Sequence, residues 1–444
     1  MKLLMAAGIL AVVCLGVYWP HQNAGFVLDD HYTVVRNPLI KNPSLYKNIW
    51  TSRLFDAHQS SGYIKFGYYR PILQSSWILD YRLFGLKASG YQWLNLLIHA
   101  LNCFLIYILL VGLFGSSPVA LKACLLFCVL PIQEWVVRFV TGRADELSAL
   151  FALASLLSLL WVFRTGFKRG YVLVLIFWAL SALTREVALS YVLYAFILKN
   201  TYFENKNINR FSLCWVFIGI LPLLVIFPII PKQGNILILH ILYFASIGFC
   251  LWMAQLRLKW VVLLFSFFAA LSFYQGRFWT TEEVLLRHTR SLECWPRTVV
   301  AQQLLMKYDD DIPAIKDMVE HSKDPLIKAM WLRRLGVVYF EHRDLSSAKE
   351  YLTKAYSANP LDVDTLDALA VVFHYKGLEI ESLGFLNRAL VINPSYPDTL
   401  RTLGIYYYIH KNFPQARIFL SRCLFFEPDN LQAQDLFRLV QAAG

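Results

Sequence analysis

Two adjacent carboxylates, Asp29 and Asp30, stand in Phe26-Val27-Leu28-Asp29-Asp30-His31, soon after the first apolar stretch. Adjacent carboxylates repel, which raises the proton affinity of one of them. A positioned carboxylate can take a proton from a hydroxyl. Such a pair can also hold a divalent cation through oxygen, but no metal or other cofactor is expected here. The plain alternative is a solvated turn. Three arginines sit in comparable short motifs: Arg70 in Tyr68-Tyr69-Arg70-Pro71, Arg143 in Thr141-Gly142-Arg143-Ala144-Asp145, and Arg185 beside Glu186. The planar guanidinium fork suits phosphate oxygens. Converging arginines beside a base are therefore the residue set for displacing a phosphate leaving group. The bland reading of the same arginines is pairing with Asp145 or Glu186 to lock loops to helix tips. Asn95, His99 and Asn102 are spaced to share one helix face, for interhelical hydrogen bonds or for lining a cavity. His31, Tyr69, Asp145 and Glu186 complete the candidate cavity lining.

These residues need a scaffold, and composition says what kind. The 444 residues are 57% hydrophobic and 16% charged, short of the roughly one quarter charged in soluble domains. A bilayer core needs about 20 apolar residues per helix. Clear spans fall near 3–19, 92–114, 146–163, 211–230, 235–254 and 259–275. A further region, 118–132, is interrupted at Pro131, and 171–199 is broken by Thr184-Arg185-Glu186. An Arg-Glu pair at mid-bilayer is costly, so 171–199 is split into two short helices with the pair at their tip. About nine spans result, with Met1 to Trp19 read as an uncleaved first helix. Cytosolic loops then carry more Lys and Arg than the short outer loops, as the positive-inside rule requires. The long outer loop, 20–91, contains two amphipathic stretches, Leu45–Phe55 and Ile72–Phe84, suited to lie in the membrane interface.

Charge separates the two halves. Residues 1–274 hold 22 Lys/Arg against 9 Asp/Glu, and the remainder hold 20 against 21. The positive charges flank apolar spans, so membrane lipids rather than nucleic acid are the expected partners. Eight of the nine acids of the first part fall on the outer side, Glu204 being the exception. Topology rules act on Lys and Arg rather than on acids, so this clustering points to use of carboxylates on that face. The eight cysteines have neither zinc-like spacing nor the look of a disulfide framework. No phosphate-binding P-loop, dinucleotide GxGxxG, GxSxG elbow or HExxH is present.

After residue 296 the pattern becomes periodic. Pro360, Pro394 and Pro428 recur every 34 residues, as do Gly336, Ala370 and Gly404, and Tyr339, Phe373 and Tyr407. This is the tetratricopeptide-repeat (TPR) signature of paired antiparallel helices. The expected organisation is a membrane module over 1–275, a linker over 276–296 and a TPR array over 297–444. Within the array, an atypical pair at 297–325 precedes repeats at 326–360, 361–394 and 395–428 and an end helix at 429–444. The fold class is all-α: a polytopic helix bundle followed by a solenoid with a peptide-sized groove.

The motifs in order are Asp29-Asp30 with Asn37-Pro38, Tyr69-Arg70-Pro71, Asn95 to Asn102, Gly142-Arg143-Ala144-Asp145, Arg185-Glu186, Trp279 to Pro296 and the repeats. Together they resemble the transmembrane and tetratricopeptide-repeat-containing O-mannosyltransferases, within the C-type glycosyltransferase class. The chain has Arg-Glu where that family has Lys-Glu, and Gln92 where it has histidine. The resemblance implies a polyprenyl-phosphate-linked sugar donor and a protein Ser/Thr acceptor held in the TPR groove. It implies transfer on the luminal or periplasmic face, with Asp29 or Asp30 as base and Arg70, Arg143 and Arg185 near the lipid phosphate. The alternative is a non-catalytic membrane scaffold that uses its repeats to assemble an envelope or endoplasmic-reticulum complex. Proline blocks both Asn-Pro-Ser sites, at Asn42 and Asn393, which favours a bacterial inner membrane over the endoplasmic reticulum.

Overall fold

The computed structural model describes residues 2–19, 25–52, 54, 68–204, 206–226, 242–280, 284–285, 312–322 and 325–443. Most of the linker expected over 276–296 and most of the atypical first helix pair lie outside these residues. So do parts of the expected spans at 211–230 and 235–254. Two compact units are present. One comprises Met1–His31 with Tyr69–Thr298, and the other Tyr32–Tyr68 with Val299–Gly444. Part of the long loop after the first helix therefore belongs with the repeats. Helices dominate, and the described residues contain an isolated Leu54–Tyr68 bridge but no strand.

In the first unit, α1 (Lys2–Tyr18) is apolar apart from Lys2. Pro71 opens α3 (Pro71–Phe84), a place where proline's missing N–H costs nothing. This is the second amphipathic stretch; the first belongs to the second unit, where a 3-10 helix, Pro43–Trp50, follows the short α2 (Pro38–Lys41). Helices α4 (Ala88–Phe114) and α7 (Arg143–Thr165) are each stopped by a left-handed glycine, Gly115 and Gly166. A bent pair lies between them: α5 (Ser117–Val129) and the Pro131–Val137 segment, which ends in α6 (Glu134–Val137), turn by 51° at Pro131. Beyond α7, the 171–199 stretch is indeed broken. α8 (Tyr171–Thr184) ends at an extended Arg185, a 3-10 turn covers Glu186–Tyr191, and α9 (Val192–Phe203) follows.

Three described helices, including Leu258–Trp279, are long and apolar enough to cross a membrane, or four if the bent pair is one span. Shorter apolar helices cover Leu3–Tyr18, Ile208–Leu221 and Leu242–Met253. The nine-span reading goes beyond this count. The apolar core joins residues of α1, α4, α5 and α7, among them Leu10, Cys14, Cys103, Leu110, Phe127 and Leu153.

The repeat unit follows its 34-residue period. Helix pairs run Pro325–Glu341 with Leu345–Ala358, Val363–Tyr375 with Glu379–Ile392, and Pro397–Ile409 with Phe413–Phe426, closed by Leu431–Ala443. A Cβ on Gly336 or Gly404 would stand 2.6 Å from the Leu352 or Leu420 side chain, which explains the small residue at that register. The periodic aromatics meet a second aromatic set at the same period. Tyr339 stacks on Tyr351 at 5.3 Å, Phe373 meets Phe385 at 5.2 Å, and Tyr407 stacks on Phe419 at 5.5 Å. Along the first helices of the pairs, polar contacts link neighbouring repeats: Arg333 to Asp362 and Asp364, Tyr396 to Asp364, and Thr399 to both Asp367 oxygens at 2.9 Å.

Candidate active site

The acidic pair is held at the end of a turn in which Leu28 takes φ 54°, a left-handed conformation that costs a branched residue energy and is often found at functional sites. The two carboxylates then diverge in role. Asp30 is fully buried. It accepts hydrogen bonds from the Val27 N–H at 3.2 Å and from both the N–H and the hydroxyl of Thr141 at 2.8 Å. Burial pushes its carboxyl up to about 7 despite those donors. Asp29 is half-buried. Burial raises its proton affinity too, while the Arg70 guanidinium opposes the rise.

Arg70 stands immediately before α3 and grips Glu186 with two parallel bonds, Nε to Oε1 at 3.0 Å and Nη2 to Oε2 at 2.8 Å. Burial works against a charge on Glu186, yet the Arg70 bonds and the Arg70 and Arg185 charges hold it below the usual carboxylate range. Arg185 in turn pairs with Asp145, both side chains 7% exposed. The break at Thr184–Glu186 delivers both Arg185 and Glu186 to this group. Asp29, Arg70, Glu186, Arg185 and Asp145 thus form one alternating series of charges, with three carboxylates and two guanidiniums. Tyr69 is exposed beside Arg70, and His31 is half-buried beside Asp30.

Arg143 is placed differently. Its side chain is 1% exposed. It pairs with Asp80 and donates to Asn95 Oδ1 at 2.7 Å and to the Tyr91 carbonyl at 2.8 Å. Asn95 in turn donates to the carbonyls of Val136 and Phe139. These groups tie α3, α4 and the start of α7 together. His99 is in the bundle interior, bonded through Nδ1 to the Tyr243 hydroxyl at 2.9 Å. Asn102 donates to the same hydroxyl and to the Glu146 carbonyl. The bland reading of this polar face, hydrogen bonding between helices, describes what Asn95, His99 and Asn102 do. Sequence reasoning did not single out Thr141 or Asp80 as partners. Each is far in sequence from the residue it serves, and no spacing marks the contact.

The interior also gathers thiols. Cys14, Cys103 and Cys128 have sulfurs within 4.8 Å of one another, and all are free and buried. They come from three helices, so no sequence spacing could announce them.

No protein-family model matches the chain. Among characterised proteins it is 30% identical over 186 residues to the protein O-mannosyl-transferase F38B6.6 of Caenorhabditis elegans, covering 41% of this chain and 26% of that protein. It is 32% identical over 157 residues to human protein O-mannosyl-transferase TMTC3, covering 34% and 16%. With protein O-mannosyl-transferase tmtc2 of Xenopus laevis it shares 40% over 173 residues, covering 37% and 19%. The matches thus span about a quarter or less of these relatives. A solved structure that overlaps it, the Archaeoglobus fulgidus oligosaccharyltransferase, is 14% identical at a TM-score of 0.34, covering 99% of this chain and 56% of that one. The chain is related to the transmembrane and tetratricopeptide-repeat-containing O-mannosyltransferases.

Proposed function

We propose that the chain is a membrane glycosyltransferase that moves a hexose from a polyprenyl-phosphate donor to a Ser or Thr hydroxyl of a protein. The observation that carries this reading is the alternating series from Asp29 to Asp145. Asp29 is half-buried at its end, with raised proton affinity and an arginine close by. In the reaction, Asp29 takes the proton of the acceptor hydroxyl. The hydroxyl oxygen bonds to the anomeric carbon, and the carbon–oxygen bond to phosphate breaks with its electron pair leaving on the phosphate. Displacement from the opposite side inverts the anomeric centre. Arg70 and Arg185 would turn from Glu186 and Asp145 toward the phosphate, because the guanidinium fork fits either anion. Arg143 serves as a positioning residue, since its donors are used inside the fold. Asp30 holds the 141 turn through Thr141. A donor of this kind and a hydroxyl acceptor need no metal in this scheme.

The relatives' names support transfer of mannose to protein. The membership of residues 32–68 and the repeats in one compact unit supports a common side of the membrane for the loop after Asp30 and the TPR array. That side would be periplasmic or luminal by the charge bias of the loops. The TPR groove would present the acceptor, and the membrane module would extend over about nine spans.

The test is sugar transfer in membranes supplied with polyprenyl-phosphate mannose. Asp29→Asn is expected to lower the rate by about 10²–10⁴-fold while the protein remains folded. Unchanged transfer by folded Asp29→Asn would sink the catalytic reading and favour the scaffold.

A further inference from the structure

The repeat unit holds a second concentration of charge. Asp362, Asp364, Asp367 and Asp398 lie along the linked first helices of the repeats, with Arg333 paired to Asp362 and Asp364, and Arg401 to Asp398 at 2.9 Å. Glu427 lies at the end of the last repeat. Five carboxylates thus face two arginines in this group. Burial raises the proton affinity of Asp362 and Asp367, while the Arg333 charge and its hydrogen bonds hold Asp364 below the usual carboxylate range.

The positive charge comes from the loop. Asn37 and Asn42 each cap a proline-led turn, accepting from Leu39 N–H and Ser44 N–H at 3.0 Å, so residues 36–44 form a stiff clip. Lys41 reaches both oxygens of Asp429 at 2.7 and 3.0 Å, with its side chain 3% exposed. Asn42 donates to the Phe425 carbonyl. Arg36 is seated less firmly. It lines a small cleft with Pro38, Ser395, Tyr396, Pro397, Asp398 and Glu427, within the field of Asp364 and Asp398, yet it stays exposed. Lys41 fastens the clip, and Arg36 occupies a place that another cation can take.

We propose that the cleft of Ser395–Asp398 and Glu427 is a binding site for an arginine or lysine side chain of an extended protein segment, and that Arg36 of the chain's own loop is its resident occupant. The incoming segment displaces Arg36, while Lys41 and Asn42 keep the loop attached to the last repeat. This rests on the reading of the repeats as the acceptor-holding part, and it narrows that acceptor to one with a basic residue. Proline at 394, 397 and 428 stiffens the cleft walls, so the site is preformed and little ordering cost falls on binding.

The experiment uses the full chain in detergent micelles and two fluorescent peptides, one Arg/Lys-containing and one with Glu at those positions, read by anisotropy without donor lipid. The cationic peptide is expected to bind and the anionic one not to. Arg36→Gln is expected to tighten the cationic peptide several-fold, because the resident competitor is gone. Asp398→Asn is expected to weaken it about tenfold. Melting temperature checks that Asp398→Asn still folds after losing the Arg401 pair, and Glu427→Gln replaces it if it does not. Equal binding of the two peptides, or an Arg36→Gln affinity no tighter than that of the unaltered protein, overturns the proposal. Peptide binding is read apart from sugar transfer, so an inactive Asp29→Asn protein that binds the peptide normally separates this site from the catalytic reading.

Discussion

The two units differ in how far their acid–base pairs are withdrawn from solvent. In the membrane-type unit, Arg143 and Asp80 are each 1% exposed and Arg185 and Asp145 each 7%. In the repeat unit, Lys41 with Asp429 and Arg333 with Asp362 are withdrawn from solvent too, but Lys354 with Glu350 and Arg438 with Asp435 sit 53–73% exposed. Exposed pairs contribute about 0–1 kcal/mol and can be lost without consequence. A buried pair is different: its desolvation offsets most of its attraction, but removing one partner strands a charge. The repeats therefore take their stability from periodic packing, as Gly336 against Leu352 and Tyr339 on Tyr351 illustrate. The membrane-type unit has its geometry enforced by buried charges, each of which needs a partner of opposite sign. That enforcement is what keeps Arg70, Glu186, Arg185 and Asp145 in series beside Asp29.

The sharpest way to break the comparison is at Asp80. Burial pushes its carboxyl up to about 6, with Arg143 restraining the rise, so the pair is ionised at neutral pH. Asp80→Ala should destabilise the protein by about 3–5 kcal/mol, measured as unfolding in mixed micelles, because Arg143 is left buried and unpaired. The double substitution Asp80→Leu with Arg143→Met should recover most of that loss. If Asp80→Ala costs no more than the same change at Glu350, the distinction between the units fails.

Asp30 offers a second test through pH. Its folded carboxyl lies at about 7 against an ordinary 3.8. Between those values the folded chain binds more protons than the unfolded one. Stability should therefore be greatest at the acid end of the window, fall as pH rises through it, and level off above about 7. The full drop is on the order of 4 kcal/mol at most. Asp30→Asn keeps an oxygen for Thr141 and removes the titration, so it should flatten the slope. A slope unchanged in Asp30→Asn assigns the pH dependence to other groups.

These tests fall where the sequence was least explicit. The TPR array could be read directly, because a 34-residue period repeats every contact and three classes of position, the prolines, the small residues and the aromatics, agree. The break at Arg185-Glu186 was legible as well, since the cost of a mid-bilayer ion pair forbids one straight helix. The partners inside the membrane-type unit were not. Arg143 looked like a phosphate ligand because its motif resembled those of Arg70 and Arg185. What separates it is Asp80, 63 positions away, and a distance across the fold leaves no local pattern. Asp29 and Asp30 were equivalent in sequence for the same reason. Thr141 makes them different by taking Asp30 for the turn. The attachment of Lys41 to Asp429 joins the loop to the last repeat across 388 positions, equally without a local signal.

The smallest expected effect tests the repeat side of the comparison, where local geometry should rule. The turn between paired helices places Arg343 at φ 64°, Gly377 at φ 72° and Lys411 at φ 56°, again 34 residues apart. Only glycine adopts this region without strain, and for an ordinary L-residue it costs roughly 1–2 kcal/mol. Against that gain, glycine loses about 0.5–1 kcal/mol through the freedom of the unfolded chain. Lys411→Gly should therefore stabilise the array slightly, by less than about 1 kcal/mol, with Arg343→Gly acting alike and independently at its distance. Gly377→Ala should lose stability by a comparable amount. Chemical denaturation of the full chain, followed by a fluorophore on the last repeat, measures all three. A marked loss in Lys411→Gly would mean that the lysine side chain, rather than the backbone turn, holds that corner, and that the repeats too depend on particular charges.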